Sequence, residues 1–262
     1  MGESSDGPST GRVITVGLAA GLLSGMFGVG GGVLIVPGLM WVVSMEPRRA
    51  HGTSLAAVLP IALFGVGSYF RNDHIDLGAA LALTAGSLLG TFVGTAWLAR
   101  APKQVLSVSF AGLLVVSAAR LLFELDTSNE QVMTLGSGAV LVSTGFVAGV
   151  LAGLLGIGGG VVMVPAMMLV LGLSPVVAKG TSLAVIVPTA IVGTWRNRRN
   201  LNVDVRSAAL VGLGGAGTAV VGAVVADRLP DRAANLMFAG LLVVMALRLA
   251  RESGLAMRRK AS

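Results

Sequence analysis

Gly21-Leu-Leu-Ser-Gly-Met-Phe-Gly-Val-Gly-Gly-Gly-Val-Leu-Ile-Val-Pro37 returns 128 residues later as Gly149-Val-Leu-Ala-Gly-Leu-Leu-Gly-Ile-Gly-Gly-Gly-Val-Val-Met-Val-Pro165. Ten of the seventeen positions are identical, too many for two unrelated apolar segments. The same offset, without a gap, carries Gly52-Thr53-Ser54-Leu55 onto Gly180-Thr181-Ser182-Leu183, Pro60 onto Pro188, Arg71-Asn72 onto Arg199-Asn200 and Asp76 onto Asp204. The chain is a duplicated unit, so a role assigned to a residue in one copy has a counterpart in the other.

Composition says where such a unit resides. Of 262 residues, 54% are apolar and only 12% charged, and the mean hydropathy is +0.86. Soluble domains carry about 25% charged residues, so an integral membrane protein is expected. Residues 77–98 and 207–226 are uncharged runs of about the ~20 residues that cross a hydrocarbon core of ~30 Å. Residues 52–70 run nearly as long. The shorter runs 104–119, 180–195 and 233–247 reach full length if Arg120, Arg196 and Arg248 snorkel toward an interface. The 38 glycines suit close helix packing in lipid, where small residues let backbones approach. With no cysteine in the chain, neither a disulfide framework nor a thiolate metal or redox site can form. Residues 1–11 lack the pattern of a cleavable signal peptide. They are expected to be a disordered cytoplasmic tail.

The net charge of +7 reports topology here rather than nucleic-acid binding. Glu124, Asp126 and Glu130 crowd one loop without a base, whereas the C-terminal segment carries Arg258, Arg259 and Lys260. The positive-inside bias puts the first outside and the second inside. Working from these ends, the loops with Arg48 and Arg49, with Arg100 and Lys103, and with Arg196, Arg198, Arg199 and Arg206 fall inside. The loops at 71–76, 124–130 and 227–232 and the turn with Lys179 fall outside and are together net negative. Equivalent loops thus lie on opposite faces. The repeats are expected to be inverted, which requires an odd number of crossings in each. The expected organisation is a cytoplasmic tail at 1–12, repeat one at 13–123, an external linker at 124–134, repeat two at 135–251 and a basic cytoplasmic tail at 252–262. Both termini then face the cytoplasm from a multi-pass protein of the inner membrane.

The glycine segment decides the crossing number. Residues 13–45 are uncharged, too many for one ordinary span and too few for two spans with a polar turn, and the tip at 28–32 has no polar side chain to welcome water. Two half-length helices meeting at a re-entrant tip are expected, followed by three full spans. In the second half the uncharged run 131–178 leaves both a hairpin and two full spans open. The fold class is therefore all-α, with two inverted repeats, each a glycine-tipped hairpin plus three membrane helices. Irregular backbone at membrane depth is tolerated only where it is buried in protein or lines a wet cavity. Tips entering from opposite faces would meet near the midplane, as in inverted-repeat transporters built on broken helices.

A helix beginning at Gly32 or Gly160 aims free N–H groups and a partial positive charge at whatever lies there, a setting that favours anions. The candidate substrate site is Gly30, Gly31, Gly32, Gly158, Gly159 and Gly160, with the hydroxyls of Thr53, Ser54, Thr181 and Ser182. These hydroxyls stand at the expected starts of the next spans, where simple N-capping is the competing role. His51 and Lys179, equivalent by the offset, are candidates for anion attraction, and His51 for proton coupling; packed polar residues or interfacial anchors are the alternative. Arg71, Asn72, Arg199 and Asn200 are candidate gate residues, set against a plain reading in which Arg complements a helix C-terminus and Asp76 and Asp204 cap the following helices. Pro60 and Pro188 are expected to kink their spans, and Trp41, Trp97 and Trp195 to sit in an interfacial belt. A dinucleotide loop is excluded, because the third glycine it needs is Val33 or Val161. Without carboxylates in the span interiors, paired-acid catalysis and acidic metal cages are not expected. No enzyme activity, metal or cofactor is expected.

The doubled G-x-x-x-G-x-x-G-[VI]-G-G-G-x-x-x-V-P, followed by [HK]-G-T-S-L and by Pro60 or Pro188, resembles the TauE/SafE family of membrane permeases, from about Arg12 to Arg251. The resemblance implies an all-α bundle of two repeats in the cytoplasmic membrane. It also implies secondary transport of sulfite or a small organosulfonate such as sulfoacetate, most often as export. The expected partners are a small anionic substrate, the lipid bilayer and protons, with no nucleic acid; a homo-oligomer is compatible with the sequence. A passive anion channel, or a permease for another small organic or inorganic anion, is the rival function.

Overall fold

The computed structural model describes residues 10–98, 100, 112, 115, 119 and 135–230 and parts of 232–247. The expected span at 104–119, apart from those isolated positions, the linker at 124–134, the loop with Lys103 and the tail at 252–262 lie outside the described residues. All regular structure among the described residues is helical: α1 (Thr10–Phe27), α2 (Gly32–Val42), α3 (Pro47–Arg71), α4 (Leu77–Leu98), α5 (Leu135–Leu155), α6 (Gly160–Leu171), α7 (Pro175–Arg199) and α8 (Val205–Ala226). Helical positions also occur within 232–247.

Each glycine segment is a hairpin with unequal arms, not two half-length helices. At 1.5 Å per residue, the 18 residues of α1 span about 27 Å and the 11 of α2 about 16 Å. In the second half, the 21 residues of α5 meet the 12 of α6. The first arm is long because nothing interrupts it before the glycine turn. A second expectation also shifts. α3 and α7 begin at Pro47 and Pro175, prolines at the first helical position, where the missing N–H costs nothing. Thr53, Ser54, Thr181 and Ser182 therefore lie one to two turns inside their helices and cannot be N-caps.

The helices pack across the repeats. α1 runs along α8 and α4 along α5, while α3 contacts both α7 and α8. Glycines explain how closely. On α1, a Cβ at Gly17, Gly21 or Gly25 would strike the backbone carbonyl of Val211, Gly215 or Ala219 on α8. Their equivalents Gly145, Gly149 and Gly153 on α5 meet the carbonyls of Leu83, Ser87 and Thr91 on α4, which answers with Gly86, Gly90 and Gly94. A four-residue spacing keeps the small residues on one helix face, and backbone contact is how membrane helices associate without a hydrophobic driving force. Most of these contacts recur at the 128-residue offset with the two halves exchanged, while the counterpart of Gly90 is Thr218, whose hydroxyl donates to Leu18 O.

Candidate functional site

The glycine motif is a backbone solution. Gly28, Gly30 and Gly31 take φ of 69°, 76° and 77°, and Gly156, Gly158 and Gly159 take 67°, 81° and 82°, values that cost an L-residue about 1–2 kcal/mol each. The last glycine answers a different demand. A Cβ on Gly160 would lie 2.6 Å from Gly28 O and 2.7 Å from Val29 Cα, and one on Gly32 2.7 Å from Gly156 O. The start of each short helix thus abuts the turn of the opposite half. Gly30 and Gly158 both lie against Val58 and Ile186, near the middle of α3 and α7.

The second motif serves the first. His51, Gly52, Thr53 and Ser54 each touch the opposite half. His51 Nδ1 donates to Leu155 O at 2.6 Å, satisfying one of the orphan carbonyls at the end of α5. Gly52 admits the backbone of Asn202, as Gly180 admits that of His74. Thr53 Oγ1 accepts the N–H of Asp204 at 2.9 Å and Thr181 Oγ1 that of Asp76 at 2.9 Å. Ser54 Oγ donates to Gly156 O at 2.8 Å. Lys179, 2% exposed, has its Cα against Gly28.

Three of the four proposed hydroxyls therefore have structural work, Ser54 on Gly156 O and the two threonines on the opposite half. Thr53 and Thr181 hold the loops before α8 and α4, and the Asp204 and Asp76 carboxylates cap those helices through the N–H groups of Arg206, Ser207 and Ala79. Thr53→Val is expected to leave the Asp204 N–H unsatisfied at about 1–3 kcal/mol, read as a fall of several degrees in the thermal midpoint of the detergent-purified protein. The serines differ from each other. Ser182 is fully buried and its hydroxyl has no partner, whereas its equivalent Ser54 is bonded. Ser182 Oγ lies 2.9 Å from where a Cβ on Gly160 would be, beside the start of α6.

The four gate candidates occupy helix ends. Arg71 and Arg199 stand in the last turns of α3 and α7, and the Arg199 guanidinium lies 3.9 Å from the centroid of the Trp195 ring. Asn72 Nδ2 donates to Asp227 Oδ2 at 2.8 Å, with His74 Nδ1 3.5 Å from the other carboxylate oxygen. Asn200 is exposed and closes α7 through its backbone N–H.

Sequence reasoning missed several buried polar residues, and it read the partly buried Arg196 only as an interfacial anchor. Tyr69 donates to Gly25 O at 2.7 Å, Ser87 and Thr189 share a hydrogen bond of 2.7 Å, and Arg196 Nε donates to Thr95 Oγ1 at 2.9 Å. One signal could have found them: at these positions the halves differ, with Asn197 against Tyr69, Ile61 against Thr189 and Gly215 against Ser87.

Six of the described helices are long and apolar enough to cross a membrane. Together with the paired glycine turns at their centre, they define a class: a multi-pass helical membrane protein made of two copies of one unit. The family model described as Sulfite exporter TauE/SafE matches residues 13–173 and again 141–262; the chain belongs to this family and is a membrane transporter. It is similar to the probable membrane transporter protein YunE of Bacillus subtilis, 29% identical over 206 residues, covering 70% of this chain and 76% of that protein. It is also similar to YdhB of the same organism, 30% identical over 69% of this chain and 76% of the relative. A probable membrane transporter protein of Xylella fastidiosa is 36% identical over 41% of this chain and 42% of its own length. No solved structure matches.

Proposed function

We propose that the chain is a secondary transporter that exports a small sulfur oxyanion, sulfite or an organosulfonate such as sulfoacetate, through a site at the two glycine turns. The observation that carries this reading is the abutment of the starts of α2 and α6 on the opposite turns, with Ser54 and Ser182 beside them. A helix start offers N–H donors and a partial positive charge without a fixed countercharge. An anion so held can be desolvated and still released, because several donors share it. The site comprises Gly30 to Gly32, Gly158 to Gly160 and Ser182; Ser54, whose only O–H is held by Gly156 O, and Thr53 and Thr181 position it.

Inverted repeats support alternating access by one half moving against the other. The loops assigned to one face by charge are also the ones in contact. Arg49 meets Asp204 at 3.5 Å at the end that charge assigns inside, and Asn72 and His74 meet Asp227 at the end it assigns outside, which supports this orientation. His51, bonded to the end of α5, is the residue through which protons would couple.

In proteoliposomes, sulfite flux is expected to saturate and to respond to an imposed pH gradient. Ser182→Ala is expected to lower it about tenfold or more, the loss of one hydrogen bond to a charged ligand. Wild-type flux in that variant removes Ser182 from the site, and a purely electrodiffusive, unsaturable current would favour a channel.

A further inference from the structure

The repeat predicts that the two ends of the central bundle match, and they do not. At one end Tyr69 is buried, with its hydroxyl on Gly25 O at 2.7 Å. The equivalent position at the other end is Asn197. The backbones there agree: His74 N donates to Tyr69 O at 3.0 Å and Asn202 N to Asn197 O at 3.0 Å, and Asp73 and Leu201 take φ of 59° and 57°. An asparagine amide is much shorter than a phenol. It does not reproduce the bond that Tyr69 makes, which would here go to Gly153, the counterpart of Gly25.

Asn197 is 0% exposed, and neither its Nδ2 nor its Oδ1 has a partner. Asn202 Nδ2 is buried without a partner as well. Buried polar groups are nearly always satisfied, and those that are not call for a functional or ligand-based explanation. Arg196 brings a cation to the same end: its Nε is bonded to Thr95 Oγ1, and its guanidinium lies 4.6 Å from the centroid of the Phe92 ring. The backbone N of Thr95 is 2.8 Å from where a Cβ on Gly153 would stand. Asp204, two residues beyond Asn202, is engaged by Arg49 and by the N–H groups of Arg206 and Ser207, so its charge is answered elsewhere. The opposite end carries Asp227 beside Asn72 and His74, a setting that repels anions.

We propose that Asn197 and Asn202, with Arg196 beside them, form a subsite for a small oxyanion that keeps one O–H, such as hydrogensulfite, and that Tyr69 closes the equivalent place in the other half. The inference rests on the sulfur-oxyanion reading above. The amide nitrogens donate to the anion's oxygens, and the Asn197 amide oxygen accepts its O–H, since either orientation of an amide offers one donor group and one acceptor. The guanidinium balances the charge. An anion would then load from the end carrying Arg196, Arg198 and Arg199, and the molecule is asymmetric in function although duplicated in sequence.

The test is sulfite-induced thermal stabilisation of the full-length protein in detergent, with sulfate and chloride as comparators. At a concentration about a hundredfold above Kd, wild type should gain roughly 5 °C or more from sulfite. Asn197→Asp, nearly the same shape but anionic, and Asn202→Ala should each weaken the apparent sulfite affinity about tenfold or more. Asn197→Tyr should keep or raise the ligand-free midpoint by restoring the Tyr69 arrangement, while losing the response to sulfite. If wild type responds and folded Asn197→Asp and Asn202→Ala respond equally, the subsite is overturned and the transport reading stands. If wild type is not stabilised by sulfite, the substrate reading falls and this inference falls with it.

Discussion

Gly156→Ala is expected to lower the thermal midpoint of the purified protein by about 10 °C or to prevent recovery of a monodisperse species. Two causes add. Gly156 sits at φ 67°, which costs an alanine about 1–2 kcal/mol, and its Cβ would strike the backbone carbonyl of His51. Backbone does not rotate aside as a side chain does, so the clash adds another 1–3 kcal/mol, the usual range for overpacking. Roughly 2–5 kcal/mol in total corresponds to about 4–20 °C for a chain of this size. Gly67→Ala is the control. Nothing lies within 4 Å of the Cβ it would add, and alanine is the better helix former by about 0.5–1 kcal/mol, so its midpoint should hold or rise. Equal losses in the two variants would mean that the left-handed turn and the His51 contact are not what the glycine is for.

Gly90→Leu should be more damaging still. Gly90 is the middle of the α4 seam: its Cβ would strike Phe146 O and lie 2.8 Å from Val150 N on α5. A leucine cannot be accommodated unless the two helices separate, which would also pull Gly86 and Gly94 from Val142 and Val150. α4 and α5 belong to different repeats, so this one substitution should loosen one half from the other. The expected readout is loss of folded protein by fluorescence-detected size exclusion. Gly217→Leu, on α8 with no atom within 4 Å of the added Cβ, should leave the elution profile intact. A normal profile for Gly90→Leu would show that α4 and α5 do not need backbone contact.

Much of the centre was legible from the chain. The positions of the turns followed from glycines that no other feature required, and the duplication by itself pointed to a counterpart for each turn in the other half. Thr53 and Thr181 were legible only as polar residues near the turns. Their engagement with Asp204 and Asp76 lies across more than 100 residues of chain, and an N-cap and a tertiary cap look alike in sequence. His51 was read as a candidate for proton coupling or anion attraction, with a packed polar residue as the alternative; that its Nδ1 bonds the end of α5 was not legible. Asn197 attracted no notice, because one asparagine at a helix end is ordinary; it becomes informative only beside Tyr69 in the superposed half.

By itself, the sequence determined that the chain is membrane-embedded, duplicated and punctuated by two glycine turns. Composition, period and repetition are properties of the string, and lipid leaves few ways to satisfy them. Only the tertiary structure decided which half each motif serves and where the halves stop matching. The reason is physical: whether a glycine, threonine or asparagine is needed depends on which backbone lies within about 3 Å of it, and here that backbone belongs to the opposite repeat.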